Sequence, residues 1–227
     1  MRIRAVLFDV GGPLDTEVQS ERHIDAAIAA AFAAEGHPVT PAAFVEANRH
    51  AVASFAPDAY SAIVWHLAGG DGELARRVRA RPFPGRVFEL RDGIADVIER
   101  LAARALKLGL AANQPARILS DLDAHGIGRY FSHREVSGHH GFRKPDVRLF
   151  LRACEDLGVT PAECIMVGDR IDNDIAPARA LGMRTVLIRT GRHMLQQSRS
   201  WDELPDHEVD DAPGIEFAIT QLLSPGA

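Results

Sequence analysis

Several polar side chains stand in turns that follow short apolar segments. They are Asp9, Asn113, Lys144, Asp169 and Asp174. Carboxylate oxygens suit magnesium, which also keeps water and phosphate oxygens among its ligands. A lysine ammonium group is a compact positive charge that attracts an anion. If the fold brings these side chains together, the sequence therefore favours a site for a hard cation and a phosphate group.

The apolar segments before these turns predict strands of a parallel sheet. Residues 3–8 are rich in branched and aromatic side chains without polar alternation, as expected of a strand covered on both faces. Gly11, Gly12 and Pro13 end that strand just after Asp9. Further strands are predicted at 106–112, 130–136, 164–167 and 185–188. In open α/β sheets ligands bind at the carboxyl ends of the strands, which is where these side chains stand.

The periodicity of the chain divides it into two parts. Residues 16–88 carry only helical patterns, whereas helices and strands alternate from residue 92 onward. We predict an α/β fold, a doubly wound parallel sheet built from residues 1–15 and 89–227, with an inserted helical domain at 16–88. The polar, turn-rich stretch 189–213 is expected to be the least ordered, and a helix at 215–223 closes the chain.

Composition excludes several functional classes. The 227 residues are 46% hydrophobic and carry a net charge of -5, with scattered arginines, so no nucleic-acid partner is expected. Cys154 and Cys164 lack the spacing of a zinc site. The sequence contains no signal-peptide pattern and no apolar run long enough to cross a membrane. We expect a cytoplasmic monomer or homodimer that does not bind membranes.

Four motifs in order give the sequence a family resemblance: VLFDVGG, LGLAANQ, GFRKPD and VGDRIDND. Together they resemble the haloacid dehalogenase (HAD) superfamily of hydrolases, over essentially the whole chain. The helical insertion after the first motif is similar to that of the subgroup with a C1 cap. The resemblance implies a Rossmann-like core, a cap that selects the substrate, and hydrolysis of a small phosphorylated metabolite.

The resemblance also implies a role for each motif residue. Asp9 would be the nucleophile that forms a covalent aspartyl intermediate, and Lys144 would steady Asp9 and the charge of the transferred group. The phosphoryl group would be bound by Gly12, Asn113 and Lys144. The Mg²⁺ ion would be held by Asp9, the backbone carbonyl of Gly11, Asp169 and Asp174.

Two positions depart from the family pattern. Gly11 stands where phosphatases of the family carry a second aspartate, the general acid and base. A positioned acid contributes roughly 10² to 10⁴ in rate, so a poor alkoxide leaving group would suffer most. Ala112 replaces the Ser or Thr hydroxyl that holds a phosphoryl oxygen, and losing one hydrogen bond to a charged group costs about 1.5 to 3 kcal/mol.

Three interpretations remain open at this point. The first is a magnesium-dependent hydrolase whose acid comes from elsewhere or whose leaving group needs none. The second is a 2-haloacid dehalogenase-like enzyme, although its relatives need no metal, whereas both acids of the fourth motif are present here. The third is a catalytically weakened protein that binds a phosphorylated ligand or a partner. A Schiff-base mechanism is disfavoured because residues 16–88 contain no lysine. Candidate replacement acids are Asp15, Glu17, His23, His50, His66, His139 and His140.

Overall fold

The computed structural model describes residues 2–224, without the side chain of His140. Within that range the chain divides into two compact units. The sheet unit comprises residues 2–16, 88–190 and 198–224, and the helical unit comprises residues 17–87 and 191–197. The ends of the predicted core, residue 1 and residues 225–227, lie outside the described residues. Segment 191–197 was assigned to the core from the sequence, but in the structure it belongs to the helical unit.

The sheet unit contains one parallel sheet, which confirms the predicted fold class. Within the described residues it has six strands: β1 (Ala5–Phe8), β2 (Lys107–Leu110), β3 (Phe131–His133), β4 (Cys164–Gly168), β5 (Arg184–Ile188) and β6 (His207–Val209). Their order is β3-β2-β1-β4-β5-β6. The five predicted strands are all present at the expected places.

The sixth strand was not expected. β6 pairs in parallel with β5 and lies in the stretch 189–213 that the sequence analysis took as the least ordered. That expectation was wrong, because the same stretch also forms 3₁₀ turns at Gly191–His193 and Trp201–Glu203. The residues of β6 are only partly buried or exposed, as befits an edge strand.

Helices cover both faces of the sheet. They are α5 (Ile94–Ala103), α6 (Ile118–Ala124), α7 (Ser137–His140), α8 (Arg148–Leu157), α9 (Ala176–Ala180) and α10 (Ala212–Leu223). Successive residues of a strand point to opposite faces. Val6 and Phe8 accordingly join the cluster that includes α5 and α10, whereas Ala5 and Leu7 join the cluster that includes α8. β1 is therefore fully buried on both sides.

The helical unit has its own core. Its helices are α1 (Val18–Ala34), α2 (Pro41–Ala53), α3 (Ala59–Leu67) and α4 (Gly72–Arg79). The side chains of Thr40, Asp58 and Asp71 accept hydrogen bonds from the first backbone N–H groups of α2, α3 and α4. The buried cluster includes Phe32 from α1 and Val64 from α3. No helix among residues 2–224 combines the length and the apolar character needed to span a membrane.

Candidate active site

The register of the sheet places Asp9 at its carboxyl edge. Phe8, the last residue of β1, pairs with Leu110 of β2 and Val167 of β4. The Asp9 N–H donates to the carbonyl of Val167 at 2.9 Å. Asp9 and Asp169 therefore leave neighbouring strands at the same edge, as the sequence predicts for a parallel pair.

The carboxylate of Asp9 is held through one of its oxygens. Its Oδ1 accepts a hydrogen bond from the Val10 N–H at 2.7 Å, and the Lys144 Nζ lies 2.9 Å from the same oxygen. The Asp9 side chain keeps 13% of its surface exposed. These two donors leave Oδ2 as the oxygen that can approach a ligand.

Lys144 is a buried cation between two carboxylates. Its Nζ lies 2.6 Å from Oδ1 of Asp174 as well as 2.9 Å from Asp9. Burial, the largest single influence, lowers the pKa of Lys144, but the charges of Asp174 and Asp9 outweigh burial and the pKa lies above its ordinary value. The ammonium group therefore stays charged at neutral pH.

Asn113 fixes the loop that carries Lys144. Its Oδ1 accepts from the Lys144 N–H at 2.8 Å, and its Nδ2 donates to the Lys144 carbonyl at 3.0 Å. Both polar atoms of the amide thus contact the lysine backbone, an arrangement that positions Lys144. Direct contact between Asn113 and a substrate stays a prediction.

Asp174 is positioned by a single π-helical turn, Ile171–Ile175, just before α9. Its Oδ2 accepts from the backbone N–H groups of Asp169 and Arg170 at 3.2 and 3.0 Å. Burial raises the pKa of this fully buried carboxyl to about 6, while Lys144 opposes the shift and Asp9 adds to it. A π turn of this kind is often found at functional sites.

Two glycines make room for the acidic groups of the fourth motif. A Cβ at Gly168 would collide with the side chain of Asp174. A Cβ at Gly12 would lie 2.5 Å from the Cβ of Asp169, and Gly12 also has a φ of +82°. The close approach of the 11–13 turn to Asp169 therefore depends on glycine.

The donor set fits a hard divalent cation. One carboxylate oxygen each from Asp9, Asp169 and Asp174 lies within 4.8 Å of the others. Lys144 pairs with Asp9 and Asp174, and Mg²⁺ held by the three carboxylates would neutralise further negative charge there. The carbonyl of buried Gly11 as a further ligand stays a prediction.

Two of the candidate acids of the sheet unit, Asp15 and His139, accept hydrogen bonds from nearby backbone N–H groups. Asp15 is fully buried and its Oδ1 accepts from the Glu89 N–H at 3.1 Å. His139 Nδ1 accepts from the Val136 N–H at 3.1 Å. Asp15 and His139 thus each stabilise the local backbone of the sheet unit.

The remaining acid candidates with described side chains belong to the helical unit. Glu17 pairs with Arg86 at 2.7 Å. The rings of His50 and His66 stack with centroids 4.4 Å apart, and His23 is exposed. None of these contacts assigns a catalytic role.

Arg91 is a site residue that the sequence analysis missed. Its Nε donates to the carbonyl of Gly12 at 2.7 Å and its Nη2 donates to the hydroxyl of Thr190 at 2.8 Å. Burial lowers the pKa of Arg91, while the charges of Asp169 and Asp15 oppose this. Arg91 thereby holds the turn beside Asp169. Its partners are remote in sequence, so no local pattern marks it.

Comparison with known proteins agrees with this geometry. A family model described as haloacid dehalogenase-like hydrolase matches residues 3–182. A glyceraldehyde 3-phosphate phosphatase of Methanopyrus kandleri is 38% identical over 106 residues, which cover 47% of this chain and 44% of that protein. A phosphoserine phosphatase of Thermus thermophilus is 35% identical over 129 residues, covering 55% and 51%. This chain therefore spans about half the length of these two relatives.

A longer match and two solved structures extend the comparison. Phosphoglycolate phosphatase 1 of Pseudomonas aeruginosa is 29% identical over 199 residues, covering 83% of this chain and 70% of that protein. A predicted phosphoglycolate phosphatase of Haemophilus somnus superposes with a TM-score of 0.70 at 20% identity, covering 97% and 99%. A 2-haloacid dehalogenase of Pseudomonas syringae gives 0.59 at 20% identity, again covering 97% and 99%. At these identities the solved structures support the fold alone.

Proposed function

This chain belongs to the haloacid dehalogenase-like hydrolases, and we propose that it is a magnesium-dependent phosphatase acting on a small phosphorylated metabolite. The observation that carries the proposal is the carboxylate of Asp9, held on Oδ1 by Val10 and Lys144 beside two further acids. The three relatives found by sequence that are described above are all named as phosphatases, which supports the reaction class.

The chemistry follows from the contacts of Asp9. Its Oδ2 attacks phosphorus, the bond from phosphorus to the leaving oxygen breaks, and Asp9 carries the phosphoryl group as an acyl phosphate. Water then attacks that phosphorus, releases phosphate and restores the carboxylate. Lys144 offsets the negative charge that develops on the transferred oxygens. Mg²⁺, when held by the three carboxylates, supplies further charge neutralisation.

Gly11 narrows the range of substrates. Without a carboxyl group at this position, no side chain there can protonate the departing oxygen. Acyl and aryl phosphates leave as weakly basic anions and need little protonation, whereas a sugar alkoxide needs it. We infer that good leaving groups are favoured, and that the helical unit, inserted between the first and second motifs, supplies the cap that selects among them.

The proposal is tested by phosphate release from acetyl phosphate, 4-nitrophenyl phosphate and glucose 6-phosphate, with Mg²⁺ or with excess chelator. We expect turnover of the first two with Mg²⁺ only, and gain of the sugar phosphate in Gly11→Asp. Asp9→Asn keeps the shape of the side chain and removes the nucleophile, so turnover should fall by about 10³-fold or more in a protein that remains folded. Undiminished turnover in Asp9→Asn would refute the mechanism.

The same preparations separate the two alternatives. Chloride release from a 2-chloro acid that persists in chelator would identify a dehalogenase. A folded protein that binds a phosphate mimic more tightly with Mg²⁺, yet turns over none of the three phosphates, would identify a binding protein. The cytoplasmic location and the monomeric or homodimeric state stay predictions from the sequence.

A further inference from the structure

The sheet unit contains a cavity of about 300 Å³ beside the residues that position Lys144. Its lining includes Asn113, Gln114, Pro115, Ser137, Gly138 and Arg143. The cavity is formed where the segment after β2 meets the start of α7. Its volume lies at the lower end of the range for ligand pockets, which suits a small ligand.

Arg143 brings a positive charge to this cavity that no acid of the described chain neutralises. Two other positively charged residues nearby, Lys144 and Arg148, are each paired with an acid. Lys144 is paired with Asp9 and Asp174, and the guanidinium of Arg148 is paired with Asp146 at 2.5 Å and lies over the ring of Phe142. Arg143 is exposed, and within residues 2–224 its side chain makes no ion pair or hydrogen bond. An arginine fork of this kind is suited to a carboxylate or phosphate group.

Gln114 brings a buried amide to the same cavity. The residue is 8% exposed, and its side chain has no hydrogen-bond partner within residues 2–224. Its backbone carbonyl accepts from the Gly138 N–H at 3.0 Å and from the Ser137 hydroxyl at 3.4 Å, which fixes the loop against α7. An amide that no group of the described chain binds can donate a hydrogen bond to a ligand oxygen in the cavity.

The cavity is linked covalently and by hydrogen bonds to the reacting group. Gln114 directly follows Asn113, whose amide holds the backbone of Lys144, and Arg143 directly precedes that lysine. Consecutive Cα atoms are about 3.8 Å apart. Asn113 both lines the cavity and holds the Lys144 backbone, so the cavity adjoins the residues that position the lysine beside Asp9.

We propose that this cavity binds a second anionic group of the substrate, a carboxylate or a second phosphate, through the guanidinium of Arg143 and the amide of Gln114. The proposal rests on the proposed function, since it presumes a phosphoryl group at Asp9. It specifies the substrate class as a phosphorylated metabolite of a few carbons with an anionic group at its other end.

Phosphonates test the cavity without requiring turnover, because their carbon–phosphorus bond is not cleaved. Binding is measured by titration calorimetry with Mg²⁺ for ω-carboxyalkylphosphonates with one, two, three or four methylene groups. Alkylphosphonates of equal length are the counterparts that lack the carboxylate, and α,ω-bisphosphonates distinguish a phosphate pocket from a carboxylate pocket. For at least one length we expect the doubly functional compound to bind about tenfold more tightly than its counterpart.

Substitutions of residues that line the cavity test whether the cavity causes the preference for doubly functional phosphonates. Arg143→Gln and Gln114→Leu should each remove most of it, and Arg143→Lys should keep part of it. Arg148→Gln, at the start of α8 where Arg148 pairs with Asp146, should keep all of it. A preference that persists in both Arg143→Gln and Gln114→Leu, or no preference at any length in the wild type, would overturn the proposal.

Turnover of 4-nitrophenyl phosphate is measured separately to keep the two proposals apart. If the wild type hydrolyses this ester but shows no phosphonate preference, the proposed function stands and the proposed anion site in the cavity is refuted. If the wild type shows the Arg143-dependent preference but hydrolyses no phosphate, the proposed anion site stands and the proposed phosphatase activity is refuted.

Discussion

Gly12 lets the turn after β1 approach Asp169, which follows β4, because glycine has no Cβ at this position. The backbone at Gly12 has a positive φ, and its Cβ position is already taken by the side chain of Asp169. Either property alone favours glycine. Because of both properties, the position of Asp169, a proposed metal ligand, depends on glycine at residue 12.

Gly12→Ala should therefore impair metal use more than stability. The new methyl group must push Asp169 away, so we expect the Mg²⁺ concentration for half-maximal activity, or the Kd for Mg²⁺, to rise by about tenfold. Gly36→Ala is the matched control, because Gly36 has a φ of +81° and nothing within 4 Å of its Cβ position. It should cost about 1 kcal/mol of unfolding free energy from the backbone alone. Equal Mg²⁺ dependence in both variants would contradict the steric argument.

Which site residues could be predicted depends on how local their signal is. Asp9 and Asp169 follow buried strands, and Lys144 and Asp174 stand in short motifs, so local sequence patterns mark all four residues. Arg91 has no such signal, since its contact with the Gly12 carbonyl spans 79 residues. The clamp of Asn113 on Lys144 was equally hidden, because it depends on the path of a loop that apolar periodicity does not describe.

At the scale of elements, segment 191–197 leaves the sheet unit after β5 and joins the helical unit. Its anchor is Arg192, whose side chain is only 5% exposed. Its guanidinium donates to Asp25 Oδ1 and Asn48 Oδ1, both at 2.6 Å, and lies 4.6 Å from the ring centre of Tyr60. The Arg192 N–H also donates to Glu21 Oε1 at 2.9 Å. The segment is thus bound to three helices of that unit through one residue.

Arg192→Ala should release the segment. Removing one member of a buried ion pair costs about 3 kcal/mol, so amide exchange over 191–197 should accelerate and the unfolding free energy should fall by that amount. Arg76→Ala is the control, since the pair of Arg76 with Glu73 is exposed on both sides and contributes at most about 0.5 kcal/mol. An equally small loss in both variants would contradict the anchoring role.

The loss of unfolding free energy caused by Arg192→Ala should depend on pH in a predictable direction. Burial raises the pKa values of Glu21 and Asp25 above their ordinary range, and Arg192 opposes the shift. Ionisation of both acids therefore lowers the free energy of unfolding as pH rises, and it lowers it more when Arg192 is absent. The loss in Arg192→Ala should be larger at pH 7.5 than at pH 5, as denaturant titrations at the two values can measure.

β6 shows why the end of the sheet escaped prediction. Apolar alternation over four to eight residues is the usual signal of a strand, and His207-Glu208-Val209 is shorter and mostly polar. The strand is formed because its backbone pairs with β5 and because Asp206 accepts hydrogen bonds from the N–H and hydroxyl of Thr185 at 2.7 and 3.1 Å. Those interactions are tertiary, whereas the buried strands β1 and β4 carry their signal in their own residues.

At the scale of the whole molecule, each unit has a separate apolar core. Phe32 is fully buried among residues of the helical unit, and Phe150 is fully buried under the sheet. Separate cores allow each unit to open without the other, as local unfolding does in other proteins.

Phe32→Ala should therefore act on one unit. We expect a loss of about 3 kcal/mol of local stability, seen by hydrogen exchange as lower protection in α1–α4 with unchanged protection in β1 and β4. Phe150→Ala makes the corresponding change in the core of the sheet unit, and it should lower hydrogen-exchange protection in the strands. Uniform loss of protection across both units in either variant would show instead that the chain unfolds as one cooperative body.

The division of the chain also sets a rule for recombination. Because the helical unit is made from residues 17–87 together with 191–197, the polypeptide passes between the units at four places along its length. A chimera that exchanges 17–87 for the corresponding insertion of a relative would leave Arg192 among foreign side chains, with no Asp25, Asn48 or Tyr60 to receive it. Grafts that transfer both pieces should yield soluble hybrids more often than grafts of the long piece alone.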